Sequence, residues 1–600
     1  MAEIMKKEME INGKPFALRR FLQNAAGSFI VLISFLLPVK FGSLAVMPEA
    51  AGFFPEDWYS WLIINWPANS FGIFTGAALL LALAAYGAPE IASCRGITGL
   101  LWCFALPLAA WVGCINSTAS FYAEGEVCHL LGISAFCGAA WILFDKASEF
   151  WKKSIFCALA GGVFILSISG LRQYFFGFAE MQEFLAAQQA KGIAVSGVML
   201  AKAADTRVYA LMVSANILAG FLLLTLPLCT VVFAKIGRHF EPQKVSVRLF
   251  TCVMLLPGAA VFLMTKTRAA FLCALLTLAL LLFTLKFSKW LKAGLAALIL
   301  LTVIGGTCYI KFAGRGFGSL SERADYMRTA AIMLPEKPLA GHGWGGFFYR
   351  HMKEKTTSTD ESAHDPHNVF ASFILHAGFP AGVIASAALL FPLGVLIRRR
   401  KKSSLEEKMI LWGSIAFTLH SCCDINMQVP ACLAGAGLLF LAAMPGEKIS
   451  GMKTFRAVPL LLLALLAGLG IFSIKLNRTV LAGDVAFTRF MDLLQTAPGN
   501  MPPSEQQIIQ QFQEVEKLRP AHPFACNTLG DYYSSKGEFH RAEQLYLESL
   551  KRDKRRPAIY MRLAMIALQN FESEKAEELQ KKAHELFPTH PKYKRLDKTH

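Results

Sequence analysis

The stretch Gly314–Gly382 reads GRGFGSLSERADYMRTAAIMLPEKPLAGHGWGGFFYRHMKEKTTSTDESAHDPHNVFASFILHAGFPAG. It is the main polar interruption of a chain that is otherwise apolar for some 475 residues. It holds Arg315, Arg323, Arg328 and Arg350, a glycine run, and the pair His364 and His367 where the chain re-enters an apolar segment. Outward from it, apolar runs long enough to cross a bilayer recur on both sides, and an open chain in hydrocarbon must close its own hydrogen bonds as helix. An all-α, polytopic membrane bundle follows as the expected fold, with residues 312–368 as one large loop and residues 476–600 as a separate soluble part.

Composition agrees. The chain of 600 residues is 54% hydrophobic and 17% charged, against about 25% charged in an average soluble protein. Its formal charge of +18 is concentrated in short links between apolar spans, which is a topology signal and excludes a nucleic-acid footprint. Of the 14 cysteines, only Cys526 lies away from apolar segments. No zinc spacing or disulfide framework is indicated. The first apolar run, near 24–46, is too long for a cleaved signal peptide and reads as a retained span.

About thirteen spans are expected, near 24–46, 69–88, 97–115, 128–144, 155–175, 209–234, 249–264, 268–285, 292–311, 369–397, 409–425, 427–444 and 456–474. With Lys6, Lys7, Lys14, Arg19 and Arg20 placed in the cytoplasm, alternate links carry Lys146, Lys152 and Lys153; Lys235 and Arg238; Lys286, Lys289 and Lys292; and the cluster Arg398 to Lys402. Two of the opposite links, PEAAGFFPEDWYSW at 48–61 and the hairpin around Glu124 and Glu126, have no lysine or arginine. The positive-inside rule then puts the large loop and the tail outside.

The tail repeats itself. Leu529 and Leu563, Tyr533 and Ala567, Ala542 and Ala576, and Ser549 and Ala583 all stand 34 residues apart. That period, with small residues where two helices cross, resembles the tetratricopeptide repeat. A partner-docking groove and a structural cap are equal expectations for it, and a protein partner is the functional one.

Chemistry-bearing residues cluster around the loop. Arg268, in TKTRAAF, sits between two closely spaced spans, where a charge faces protein, water, a bound anion or the interface. Arg207 lies at another span end, and Asn216 inside the following span could be an interhelical hydrogen-bonding residue. Arg323 and Arg328 suit a diphosphate because a guanidinium fork matches phosphate oxygens. The glycines 341, 343, 345 and 346 would let backbone approach a ligand. The run His364-Asp365-Pro366-His367-Asn368 offers a neutral imidazole as proton acceptor. A metal site and a helix start, with Asp365 as N-cap before Pro366, are its rivals.

Taken together these segments resemble the O-antigen ligase/polymerase superfamily of bacterial membrane proteins over roughly 207–382. Arg207-Val208 with Asn216-Ile217-Leu218-Ala219 is similar to its Arg…Asn-x-Leu-Ala span, and Thr267-Arg268-Ala269 to its Ser-Arg-Gly/Ala span. Arg323…Met327-Arg328…Pro338-Leu339-Ala340-Gly341-His342-Gly343-Trp344-Gly345 resembles its loop motif, and His367-Asn368 followed by Gly378 its His-Asn signature. Met327 replaces a usual tryptophan, His376 a common glutamate, and Ala381 a residue usually Gly, Thr or Tyr. The resemblance implies a glycosyltransferase at the outer face of a bacterial inner membrane, fed by a glycan on undecaprenyl diphosphate, with no cofactor and no obligatory metal. Catalysis would rest on His367 as base with Arg268 and Arg323 on the diphosphate; Arg207, Asn216, Arg328, His364 and Asn368 would bind substrate. Acceptors implied are glycans, lipids or proteins. A solute transporter, which would favour carboxylates inside the spans, and a non-catalytic scaffold are the competing classes.

Overall fold

The computed structural model describes residues 2–45, 57–91, 96–117, 120–146, 149–190, 197–240, 243–284, 318–356, 362–444, 457–494, 503–520 and 522–593, with isolated positions between. All regular structure among the described residues is helical. Nine of these helices are long and apolar enough to cross a membrane: Ala17–Lys40, Ala68–Gly87, Ile97–Ile115, Ser120–Lys146, Glu149–Ala190, Ala215–Phe240, Lys244–Met264, Val369–Arg399 and Leu460–Leu494. The chain is a multi-pass membrane protein. Shorter apolar helices Arg268–Leu281 and Pro430–Ala443 and the helix Leu405–Ser421 complete the bundle. The span expected at 292–311 falls almost wholly outside the described residues.

Three boundaries differ from expectation for identifiable reasons. The first helix stops at Lys40, whose ammonium donates to the Leu62 and Ile64 carbonyls. The span expected from 209 begins at Ala215, because the stretch before it is held as a loop by side chains described below. The last helix runs from Ala457 to Leu494, well past the apolar run. Its end is amphipathic, and Phe487 and Phe490 are buried in the core of the tail.

Small residues let helices touch. A Cβ on Gly76 would lie 2.7 Å from the Gly470 carbonyl oxygen, so the Ala68–Ile91 and Ala457–Leu494 helices meet backbone to backbone, the usual route to close packing where lipid offers no hydrophobic drive. The helix Val369–Arg399 bends at Gly378, which has φ 77°. Opposite the bend, the glycine run of the loop lies against it: Phe379 N–H donates to the Pro338 carbonyl at 2.7 Å and Gly343 N–H to that of His376 at 3.1 Å. A Cβ on Gly341 would lie 2.4 Å from the His376 carbonyl oxygen. The glycines thus serve an approach of chain to chain.

The tail is a stack of antiparallel helices, Glu505–Leu518, Pro523–Ser535, Phe539–Arg552, Pro557–Gln569 and Ser573–Leu586. The paired positions read from the 34-residue period are its buried ones: Leu529, Tyr533, Ala542 and Ser549, then Leu563, Ala567, Ala576 and Ala583. Pro523 and Pro557, also one period apart, each open a helix, where a missing N–H is harmless. Arg519 joins the tail to the bundle. Its guanidinium bonds Glu124 Oε2 at 3.0 Å, pairs with Asp484, and lies 4.0 Å from the centre of the Phe121 ring. Loop and tail therefore share one side of the bundle, the side opposite the basic link Arg398–Lys402.

Candidate functional site

On that side, the helices Lys244–Met264 and Arg268–Thr284 are joined by a very tight turn. Lys266 makes it possible by adopting φ 50°, a left-handed conformation that costs a side-chain-bearing residue about 1–2 kcal/mol. Thr267 precedes the second helix and its carbonyl accepts from Phe271 N–H at 3.1 Å. Arg268 is therefore the first helical residue, beside amide groups that lack intrahelical partners and carry the positive end of the helix dipole.

This turn forms one wall of a cavity of about 680 Å³, lined by Arg207, Asn216, Lys266, Thr267, Arg268, Glu322, Arg323, Tyr326 and His367, with Ala204, Asp205, Thr206 and Ala269. Small-molecule and cofactor sites occupy roughly 300–1,000 Å³. Four cationic side chains face two carboxylates across the space, so it attracts anions.

The cations are held differently. Arg207 is fully engaged: its guanidinium donates to the Thr265 carbonyl at 3.0 Å, to Thr267 Oγ1 at 3.1 Å and to Asn216 Oδ1. Its loop is fixed from behind by Gln173, whose Oε1 accepts from Tyr209 N–H at 2.9 Å and Ala210 N–H at 2.7 Å. Gln173 opens a π-helical turn, Gln173–Gly177, the sort of irregularity that often marks functional helices. Arg323 donates to the Cys423 carbonyl at 2.8 Å and pairs with the buried Asp424 carboxylate at 3.1 Å. Lys266 donates to Thr206 Oγ1 at 2.7 Å. Arg268 is exposed and makes no hydrogen bond or ion pair with any described residue.

His367 closes the cavity in a left-handed conformation, φ 57°. Two of the four non-glycine residues with positive φ among those described, Lys266 and His367, line this one space, and strain of this kind tends to collect at functional sites. The imidazole stacks on Tyr326 at 4.7 Å between ring centres. Its Nδ1 lies 3.0 Å from the Asp365 carbonyl oxygen. A carbonyl only accepts, so Nδ1 carries the proton, and in the neutral ring Nε2 then keeps a free lone pair. Asp365 holds the turn: one carboxylate oxygen accepts from His367 N–H at 2.9 Å and the other from the Ser372 hydroxyl.

Arg328, His364 and Asn368 are engaged away from this lining. Arg328 donates to the Glu354 carbonyl at 2.8 Å and lies 3.8 Å from Asp325. His364 stacks on Phe348 at 4.2 Å and borders Tyr122. Asn368 is the N-cap of Val369–Arg399, its Oδ1 accepting from Phe370 and Ala371 N–H at 3.1 Å each, while its amide donates to the Cys422 carbonyl at 3.0 Å. The helix start thus belongs to Asn368 and not to Asp365, which the turn around His367 has already taken. The glycine run does not line the cavity.

Several contributing residues carried no sequence signal. Asp424 follows two cysteines at a helix end, Gln173 lies inside an apolar span, and Tyr326 and Lys266 look like ordinary loop residues. Only the carboxylate of Asp424, isolated in apolar sequence, was a detectable oddity. Asp365 and Asp424 also border, with Glu126 and His129, a void of about 30 Å³, room for a single water. No group of three or more His, Cys, Asp or Glu among the described residues is arranged to hold a metal ion.

Comparison with known proteins points the same way. Residues 252–386 match the family model described as O-antigen ligase, and residues 525–556 match the tetratricopeptide repeat. An O-antigen ligase of Salmonella typhimurium (strain LT2) is 31% identical over 84 residues, covering 13% of this chain and 20% of that relative. The matched family segment includes Arg268, Arg323 and His367.

Proposed function

We propose that this chain moves a glycan from an isoprenoid diphosphate lipid to an acceptor hydroxyl at the outer face of a bacterial inner membrane. The observation that supports it best is the cavity at the end of the bundle where Arg268, Arg323, Arg207 and His367 meet, inside the segment that matches the O-antigen ligase model. The reading assigns one role to each. Arg268, with no hydrogen-bond or ion-pair partner among the described residues, takes the diphosphate together with the amides of its helix N-terminus. Arg323, aimed by Asp424, stabilises the charge that grows on the leaving oxygen. Arg207 and Asn216 brace the wall.

In the reaction the acceptor oxygen bonds to the anomeric carbon as that carbon's bond to the diphosphate oxygen breaks. The acceptor proton passes to His367 Nε2, and the electron pair of the broken bond departs on the diphosphate. A single displacement inverts the anomeric configuration. The repeat domain would supply a surface for a protein partner, and the surrounding lipid holds the donor's tail.

The test is transfer by the full-length protein in lipid nanodiscs, given lipid-diphosphate glycan and a candidate acceptor. His367→Ala should lower kcat by about 10²–10⁴, and Arg268→Ala by roughly 10²–10³. Wild-type rates in folded His367→Ala protein would sink the assignment, as would a product with the donor's anomeric configuration.

A further inference from the structure

We infer that the C-terminal repeat domain is a working part of the site: Asp553 and Arg555, acting through Tyr349, position His367. The inference rests on the reading of His367 as base.

The loop helix Gly346–Glu354 is gripped from both sides. On its outer side Tyr349, 8% exposed, donates its hydroxyl to Asp553 Oδ2, and the Arg555 guanidinium lies over the same ring at 3.7 Å. The other Asp553 oxygen accepts from Arg555 N–H at 3.1 Å, so the carboxylate is fixed in the tail before it meets the loop. Phe587, at the end of the last repeat helix, joins Tyr349, Met352 and Tyr122 in one buried cluster, and Lys355 sits over its ring.

On the inner side stands His351. Two residues along a helix is a turn of about 200°, so Tyr349 and His351 face opposite ways. His351 meets Tyr326 edge to face at 5.0 Å, and Tyr326 stacks on His367 at 4.7 Å. A second link runs through the backbone: His351 Nδ1 accepts a hydrogen bond from Ala363 N–H at 3.0 Å, four residues ahead of His367. Aromatic stacks and a backbone tether both run from the repeat domain to the imidazole. His367 holds a strained backbone conformation, which persists only when its surroundings over-determine it. The repeat domain is part of those surroundings.

The experiment compares Tyr349→Phe, Asp553→Ala and Asp553→Asn in the full-length protein in nanodiscs. The readouts are kcat and KM for the lipid donor, and the pH-dependent rate at which diethyl pyrocarbonate modifies His367, followed by mass spectrometry. Tyr349→Phe, which keeps the ring under Arg555, and Asp553→Ala should each lower kcat about tenfold, a fraction of what a misplacement near 1 Å can cost, with KM unchanged. Both should alter the modification profile of His367. Asp553→Asn keeps one acceptor, for the hydroxyl, and gives up the other, for the Arg555 N–H, so it should recover both in part. Unchanged labelling and kcat in the first two variants overturns the positioning role and leaves the transferase reading standing. Altered labelling in a protein that transfers nothing keeps the positioning role and removes the transferase reading. A loss that Asp553→Asn shares in full, or one confined to KM, overturns the positioning role.

Discussion

Arg268 and Arg323 carry the same charge in very different settings, and lysine separates them. Arg323 uses one edge of its fork on the Cys423 carbonyl and Asp424; a lysine there has too few directed donors to hold that pair and still face the cavity. Arg323→Lys should therefore cost nearly as much kcat as Arg323→Ala. Arg268→Lys, with no partner to satisfy among the described residues, should retain a measurable fraction of the rate. The reverse order would contradict the roles assigned. His351 makes a prediction about acid. Burial and the nearby Lys355 push its pKa down to about 4, against the pull of Asp325. Between pH 6.5 and 4 the unfolded chain takes up a proton there that the folded chain refuses, so stability falls as pH drops through that window and levels off below it. That difference corresponds to about 3 kcal/mol. Thermal unfolding from pH 7 to 4 should show a shallower decline in His351→Asn than in wild type; parallel curves would remove His351 from the effect. Much of the cavity lining was legible at this scale, because Arg207 and Arg268 stand where apolar spans end, Asn216 is a polar residue inside one, and Arg323 and His367 belong to the polar loop. Asp424 and Gln173 were not, since their roles exist only through partners 101 and 36 residues away in sequence.

Elements carry the site by their irregularities more than by their regular turns. The tight turn at Lys266 and the π-turn at Gln173 each break a helix where a cavity residue is presented or braced, and the bend at Gly378 breaks one where the glycine run packs. Helix periodicity in a sequence cannot show such breaks, which is why the span expected from 209 began six residues late. The glycine run was legible as a place of close approach, but sequence could not say what approaches; the structure answers with Gly378. That contact is a sharp test. An alanine at 378 would put a Cβ 2.1 Å from the Leu339 carbonyl oxygen at a φ of 77°, two separate insults, the second alone worth about 1–3 kcal/mol. Neither is relieved by a side-chain rotation, since the neighbouring atom belongs to the backbone. Gly378→Ala should lower the melting temperature and, by displacing Val369–Arg399 from the loop, reduce transfer as well. A variant with wild-type stability would mean that the bend is not fixed as described.

At the scale of the whole molecule, hydropathy and the 34-residue period made the bundle and the repeats legible, because both are averages over many residues. How the two parts join was not legible, since it depends on a few residues far apart in sequence, Arg519 foremost. Arg519 is 4% exposed and lies between Glu124, near the start of Ser120–Lys146, and Asp484, on the extension of the last span. Its amide donates to the Val515 carbonyl at 2.8 Å, so the repeat stack ends one helix where the bundle begins to hold it. The adjoining His522 packs on Phe487 and Phe121, which extends the joint without adding charge. Removing one partner of a buried ionic cluster leaves the others desolvated, at a cost of about 3–5 kcal/mol. Arg519→Ala should therefore loosen the joint with both parts still folded: faster proteolysis between residues 494 and 505, unchanged helicity, and a fall in kcat of the same kind as in Tyr349→Phe. Lysine at 519 reaches one carboxylate but not two with the ring contact, so it should recover only part of the protection. If Arg519→Ala resists protease as wild type does, the tail is held by its apolar contacts, and the ionic joint is incidental to the coupling between repeats and site.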